Sequence, residues 1–156
     1  MSRWRALGRG ARCALLSVLG FWQTASAAAA PPGITVTDAW VRWLPANLPA
    51  GGYLTLRNDG DRPATLTAVS SPDYRDITLH RTSLRANVSS MQPVPQIAIP
   101  AHRAVSFAAD GYHIMLEHAT RSVQPGDRVS ITLHFADGGA VTVPFEVRRP
   151  DAANPP

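Results

Sequence analysis

Proline and glycine set the limits of this chain. Fourteen prolines and eleven glycines are spread over 156 residues, which breaks up any long helix and favours short strands joined by turns. Between these breaks the apolar residues recur with period two, the spacing of a half-buried strand. Residues 34–43 alternate loosely, as do 52–57 before the turn Asn58-Asp-Gly-Asp61. Further strands are expected at 64–69, 76–81, 96–99, 105–108, 112–117, 128–135 and 140–147. Turn signals at Ser71-Pro-Asp73, Ala109-Asp-Gly111, Gln124-Pro-Gly-Asp127 and Ala136-Asp-Gly-Gly139 separate them. Only residues 118–123 suit a helical turn. Many short strands without helices to cover a parallel sheet predict an all-β fold, an antiparallel Greek-key sandwich or barrel.

The first thirty residues follow a different logic. Arg3, Arg5, Arg9 and Arg12 precede an apolar run from Cys13 to Phe21, which leads into Ala25-Ser-Ala27. A cationic start, a short apolar stretch and a small-x-small exit are the pattern of a secretory leader. The run is too short to span a membrane as a helix. The expected organisation is a cleaved leader at 1–27, one folded domain at 28–149 and a disordered tail at 150–156. Export to the periplasm follows from that leader. Cys13 is the only cysteine and leaves with the leader, so the mature domain has neither disulfide nor thiol chemistry. Arg12 immediately before it does not suit lipid attachment.

Charge follows from the same division. The chain has fifteen Lys and Arg residues, all of them arginine, against eleven Asp and Glu. Without the four leader arginines the rest of the chain has eleven of each sign, which removes the electrostatic basis for a nucleic-acid partner. Enzyme sites are absent by motif: there is no Gly-rich phosphate loop after a strand and no G-x-S-x-G. The carboxylates lie mostly on turns, where solubilising and capping roles suffice.

The remaining candidates are sulfur and imidazole. Met91 and Met115 are the only methionines of the mature chain. Met115 lies two residues beyond His113, and on a strand that spacing puts both on one face, about 6.7 Å apart. His80 ends another expected strand, and Met91 follows after a polar, turn-rich link. Two imidazoles and two thioethers suit monovalent copper better than calcium, magnesium or manganese. Thioethers also resist loss to disulfides and need shed no proton to bind. Taken singly, a methionine is more often core filler and a strand histidine more often a hydrogen-bonded surface residue. The combined spacing, with ten residues between His80 and Met91, twenty-one to His113 and one to Met115, carries more weight than any one of them.

That spacing resembles the periplasmic copper chaperones of the PCu(A)C family. The likeness extends to Asp38-Ala-Trp-Val-Arg42, Gly52-Tyr-Leu-Thr-Leu-Arg-Asn-Asp-Gly60, Thr78-Leu-His80, Gly111-Tyr-His-Ile-Met-Leu116 and Gly126-Asp-Arg-Val-Ser-Ile-Thr-Leu-His-Phe135. It implies a cupredoxin-like sandwich holding one Cu(I) per chain at His80, Met91, His113 and Met115. It also implies a non-enzymatic role, delivery to the dinuclear copper centre of a cytochrome c oxidase subunit, alone or with a Sco-type copper protein. Such a chaperone is expected as a monomer that meets the membrane only through its acceptor. Copper storage or resistance would use the same ligands, and a metal-free interaction module is the other alternative. The chain departs from the family at Asn87 and Ser89, where glycine and a further methionine are common, and at His118, which is expected to be a bystander. His102 and His134 are read as structural or exposed, and Trp40 and Tyr112, packed at the sandwich edge or flanking the site, as core or support and not as ligands. The tail lacks His and Met, which argues for a single copper site.

Overall fold

The computed structural model describes residues 31, 33–45, 48–85 and 88–152. The leader expected at 1–27 and the last four residues of the expected tail lie outside them. Ten strands follow in order: β1 (Ile34–Arg42), β2 (Ala50–Asn58), β3 (Ala64–Ser70), β4 (Tyr74–Arg85), β5 (Val88–Pro93), β6 (Ile97–Ile99), β7 (Arg103–Ser106), β8 (Tyr112–Ala119), β9 (Arg128–Phe135) and β10 (Ala140–Arg148). A 3₁₀ turn, Pro150–Ala152, ends the described chain. Hydrogen bonding joins the strands in the order β5-β4-β8-β2-β1-β10-β9-β3-β6, with β7 beside the second half of β2. The ladders are antiparallel except β1–β10, which is parallel.

This long sheet curls so that its two halves share one core. Val41, Leu54, Leu56, Ile114 and Leu116 from one half join Leu66, Ile97, Ile99, Val129, Ile131, Leu133, Phe145 and Val147 from the other in a single buried cluster. The alternation read from the sequence supplies these residues: β9 is exposed, buried, half-buried and buried in strict turn. Fully burying each such side chain contributes roughly 1.5–3 kcal/mol, so a core of this size can hold the fold without a disulfide.

One irregularity decides what the outer face of the sheet carries. The β1–β2 register slips between Thr37 and Trp40, and Asp38 takes a φ of 53°, a left-handed conformation that Asp tolerates better than most residues. Before this bulge Ile34 and Val36 pack against the core; after it Ala39 and Val41 do. The inward phase moves from even to odd positions, which leaves Trp40 and Arg42 facing outward.

The expected turns are tied by side chains. Asn58 is buried; its Nδ2 donates to the carbonyls of Arg62 (2.8 Å) and Ile99 (3.1 Å), and its Oδ1 accepts from Gly60 N (3.0 Å). Asp73, in the expected Ser71-Pro-Asp73 turn, accepts from Arg121 Nε at 2.6 Å and Ser130 N at 2.9 Å. Burial alone would raise its pKa, but these two bonds and the charge of Arg121 together outweigh burial and hold it below the usual carboxylate value.

Two expectations fail. No helical turn forms at 118–123. Strand β8 runs on to Ala119, His118 takes a φ of 54°, and the segment beyond is held irregular by Thr120 N on Asp73 O (2.9 Å) and Trp43 Nε1 on Val123 O (2.8 Å). Conversely, the polar link before Met91 contains the strand β5. Its six residues are all exposed, so it lacks the apolar alternation by which a strand is read. Its conformation comes from backbone pairing with β4.

Candidate metal centre

The outer face of β4 and β8 follows from the same alternation that fills the core. Leu79, Ile114 and Leu116 point inward; their neighbours Thr78, His80, His113 and Met115 therefore point outward. His80 and His113 stand directly opposite each other across the β4–β8 ladder, and their ring centroids are 5.8 Å apart at 50°. Thr78 opposes Met115, and on the other side of β4 Thr82 opposes Met91. Paired residues share a face, so the two histidines and two methionines lie on the same side of three adjacent strands. Both methionines are diagonal neighbours of His80, one across β5 and one across β8. At such positions α-carbons stand about 7–8 Å apart, within reach of long side chains. The four residues singled out in the sequence thus converge on one surface.

Protonation and burial fix which atoms this surface offers. His113 is only 3% exposed despite facing outward. Its Nδ1 lies 3.2 Å from the Gly111 carbonyl, which can only accept, so Nδ1 carries the hydrogen and Nε2 keeps a bare lone pair. That Nε2 is buried without a hydrogen-bond partner, as is Nδ1 of His80. Thr82 Oγ1 and Arg42 Nε are the other unpartnered buried side-chain atoms among the described residues, and both sit on this same face. A buried polar atom left unpaired costs about 1–3 kcal/mol, so their concentration here marks a place built for something other than stability. Burial, and then the charges of His80 and Arg42, depress the His113 pKa against the opposing pull of the Gly111 bond. The imidazole is therefore held neutral and able to ligate.

The donor set is soft by composition. Among the described residues no group of three or more His, Cys, Asp and Glu could hold a metal ion. A metal held by the histidine pair would find two thioethers on the same face, and a nitrogen–sulfur set of that kind suits Cu(I). Met115 is half-buried beside the pair, whereas Met91 is 51% exposed on the edge strand.

The other residues weighed in the sequence fall elsewhere. His118 Nδ1 is 2.6 Å from Asp76 Oδ2, both well exposed. His102 pairs with Asp61 at 3.0 Å and His134 with Ser70 at 2.8 Å. Tyr112 packs beside Phe107, with Arg81 over its ring. Of the company the histidines keep on β2 and β1, the sequence offered Trp40 as a support residue but gave no sign of Gly51, Tyr53 or Arg42. Tyr53 leans over Gly51, its Oη 2.6 Å from where a Cβ there would stand. Trp40 stacks on Tyr53 at 4.6 Å, Arg42 lies over the Tyr53 ring and Arg148 over the Trp40 ring. The bulge at Asp38 is the signal that could have found this cluster, because only its phase shift turns Trp40 and Arg42 outward. A cleft of about 650 Å³ lined by Gly33, Asn58, Arg62 and Phe135 among others opens at the far end of β2 and has no part in the histidine site.

Known proteins resemble the chain over this whole domain. The copper-bound PCuAC domain from PmoF2 superposes with a TM-score of 0.65 at 27% identity, covering 79% of this chain and 98% of that one. The solution structure of CuI-DR1885 from Deinococcus radiodurans gives 0.62 at 30% identity, covering 76% and 80%. A protein of Leifsonia xyli subsp. xyli named "Putative lipoprotein" is 28% identical over 123 residues, 78% of this chain and 74% of its own length. Residues 34–147 match the LpqE-like family, described as "Putative lipoprotein LpqE-like". With the fold and these structural likenesses agreeing, the chain belongs to the LpqE-like family, the family of the PCuAC domains.

Proposed function

We propose that the protein is an exported copper chaperone that carries one Cu(I) between His80, Met91, His113 and Met115 and releases it to a partner protein. The observation that carries this reading is the pair of buried, unpartnered nitrogens, His80 Nδ1 and His113 Nε2, on the one face that also holds both methionines. The similar structures titled copper-bound and CuI support the metal and its oxidation state. The role is that of a carrier, not an enzyme. A shell made of two neutral imidazoles and two thioethers, partly open at Met91, favours ligand exchange over permanent retention. The family likeness supports assembly of cytochrome c oxidase as the destination, with the oxidase subunit or a Sco-type protein as acceptor.

Replacing the methionines tests the site with little risk to the fold. Leucine keeps volume and apolarity, so Met91→Leu and Met115→Leu should leave the stability of the metal-free protein within about 1.5 kcal/mol of the parent and weaken Cu(I) binding. Isothermal titration under reducing conditions, at one Cu(I) per chain in the parent, provides the measurement. Parent-like affinity in both variants would make the thioethers packing residues and defeat the four-ligand site.

Export rests on the arginine-rich, alanine-ended leader and on relatives named as lipoproteins. We propose cleavage after Ala27 with a periplasmic product. Intact-mass measurement should find a chain starting at Ala28; a start at Cys13 bearing acyl chains would instead make it an anchored lipoprotein.

A further inference from the structure

The hairpin that supplies Met91 is also an open sheet edge. In the strand order β5 is terminal; at the other end β6 has three residues, two of them buried. Which backbone groups β5 turns outward follows from one hydrogen bond. Val94 N donates to Leu79 O at 2.9 Å, continuing the β4–β5 register in which His80 opposes Pro93. Hydrogen-bonded and non-hydrogen-bonded pairs alternate along an antiparallel ladder. The pairs 81/92, 83/90 and 85/88 therefore bond across to β4, while Ser89, Met91 and Pro93 direct their backbone polar groups away from it. Pro93, which has no N–H to donate, fits that phase. The free edge thus presents the N–H and C=O of Ser89 and Met91.

Its surroundings are apolar and cationic. Leu84, Val88 and Met91 are 70%, 66% and 51% exposed, three of the four exposed large hydrophobic side chains among the described residues. Beyond Asp76 the β4–β5 hairpin contains Arg81 and Arg85 and no carboxylate. Strand β5 itself has no charged residue of the kind that guards an edge against pairing. Two copies joined edge to edge would bring two cationic hairpins together, which disfavours self-pairing.

We propose that an extended, carboxylate-flanked segment of the copper acceptor adds to the sheet as a strand beside β5, with a cysteine placed opposite Met91. This rests on the Cu(I) reading above and names the docking chemistry of that same site. A residue opposite Met91 would share its face and stand about 5.5 Å away between α-carbons, beside the thioether that is the most exposed of the four donors. Cu(I) then passes without change of oxidation state. The incoming thiol releases its proton to solvent as its sulfur bonds the metal, and the histidine and methionine donors let go.

The test uses the full mature protein, a synthetic peptide acetyl-Glu-Val-Thr-Cys-Thr-Val-Glu-amide, and a control with lysine at both ends. Ser89→Pro blocks the free edge yet removes no bond to β4, because the Ser89 N–H points outward. In the metal-free protein the acidic peptide should shift the amide resonances of Ser89 and Met91 and bind at least tenfold more tightly than the lysine peptide. Ser89→Pro should bind Cu(I) as the parent does and pass it to a small thiol at the parent rate, while transfer to the acidic peptide slows at least tenfold. Unchanged transfer to the peptide in Ser89→Pro, or peptide shifts confined to other strands, would overturn the proposal. A parent that sediments as a dimer and becomes monomeric with Ser89→Pro would assign the edge to a second copy and overturn it equally. If the parent binds no Cu(I), the copper reading fails by itself, and the amide shifts in the metal-free protein still decide whether an acidic strand docks on β5.

Discussion

His113→Ala is expected to reduce Cu(I) affinity on the order of 100-fold or more, since loss of even an outer-shell partner of a metal ligand typically costs 10–100-fold. The expectation rests on Nε2 of His113, buried, bare and aimed with His80 at the methionine-bearing face. The fold should survive, because His113 faces away from the core that Ile114 and Leu116 of the same strand join. The substitution also removes an unpaired buried nitrogen, so the metal-free variant should be no less stable than a comparable cavity elsewhere would make it. Competition with a chromophoric Cu(I) chelator gives the affinity, and thermal unfolding without metal gives the stability. Affinity within threefold of the parent would remove His113 from the site. A matching loss in His80→Ala, with double substitution little worse than either alone, is expected if the two rings act as one bidentate unit.

Acid should release the metal. Only neutral imidazole can bind, so protons compete with copper at the histidines while the thioethers have no proton to exchange. Each histidine can contribute up to about tenfold in affinity per pH unit below its own pKa. Burial holds His113 below the ordinary histidine value, so its share of the loss sets in below about pH 6.5. The metal-free protein should respond in the same direction for the same reason. A histidine whose folded pKa is depressed binds fewer protons folded than unfolded, so its effect on stability is absent above the unfolded value and destabilising as pH falls below it. His113→Ala should flatten the lower part of the affinity curve, and Met91→Leu should lower the whole curve without changing its slope. Titrations at steps between pH 5 and 8 measure both. A flat profile in the parent would exclude imidazole ligation, and with it the proposed site.

Much of this site could be read from residue order alone because its geometry is local. His113 and Met115 share a face by the period of two, and a histidine–methionine set is one that suits copper. The strands were legible wherever one face is buried, as in β9, since burial writes the alternation into the sequence. Strand β5 was not, since no face of it is buried and its pairing leaves no apolar pattern. Nor could the 118–123 segment be read correctly: the left-handed turn at His118 and the long-range bonds to Asp73 and Trp43 outweigh its local preference.

What the sequence determined by itself was the all-β class, most of the strands and the choice of His80, Met91, His113 and Met115 as candidate donors, because each depends on side-chain chemistry and short-range periodicity. Only the tertiary structure decided that His80 and His113 face each other, that the Asp38 bulge turns Trp40 and Arg42 onto their surface, and that Met91 stands on an open edge. Those facts depend on register between strands far apart in the chain, and a one-residue slip in register turns a side chain to the opposite face while leaving the composition of the strand unchanged.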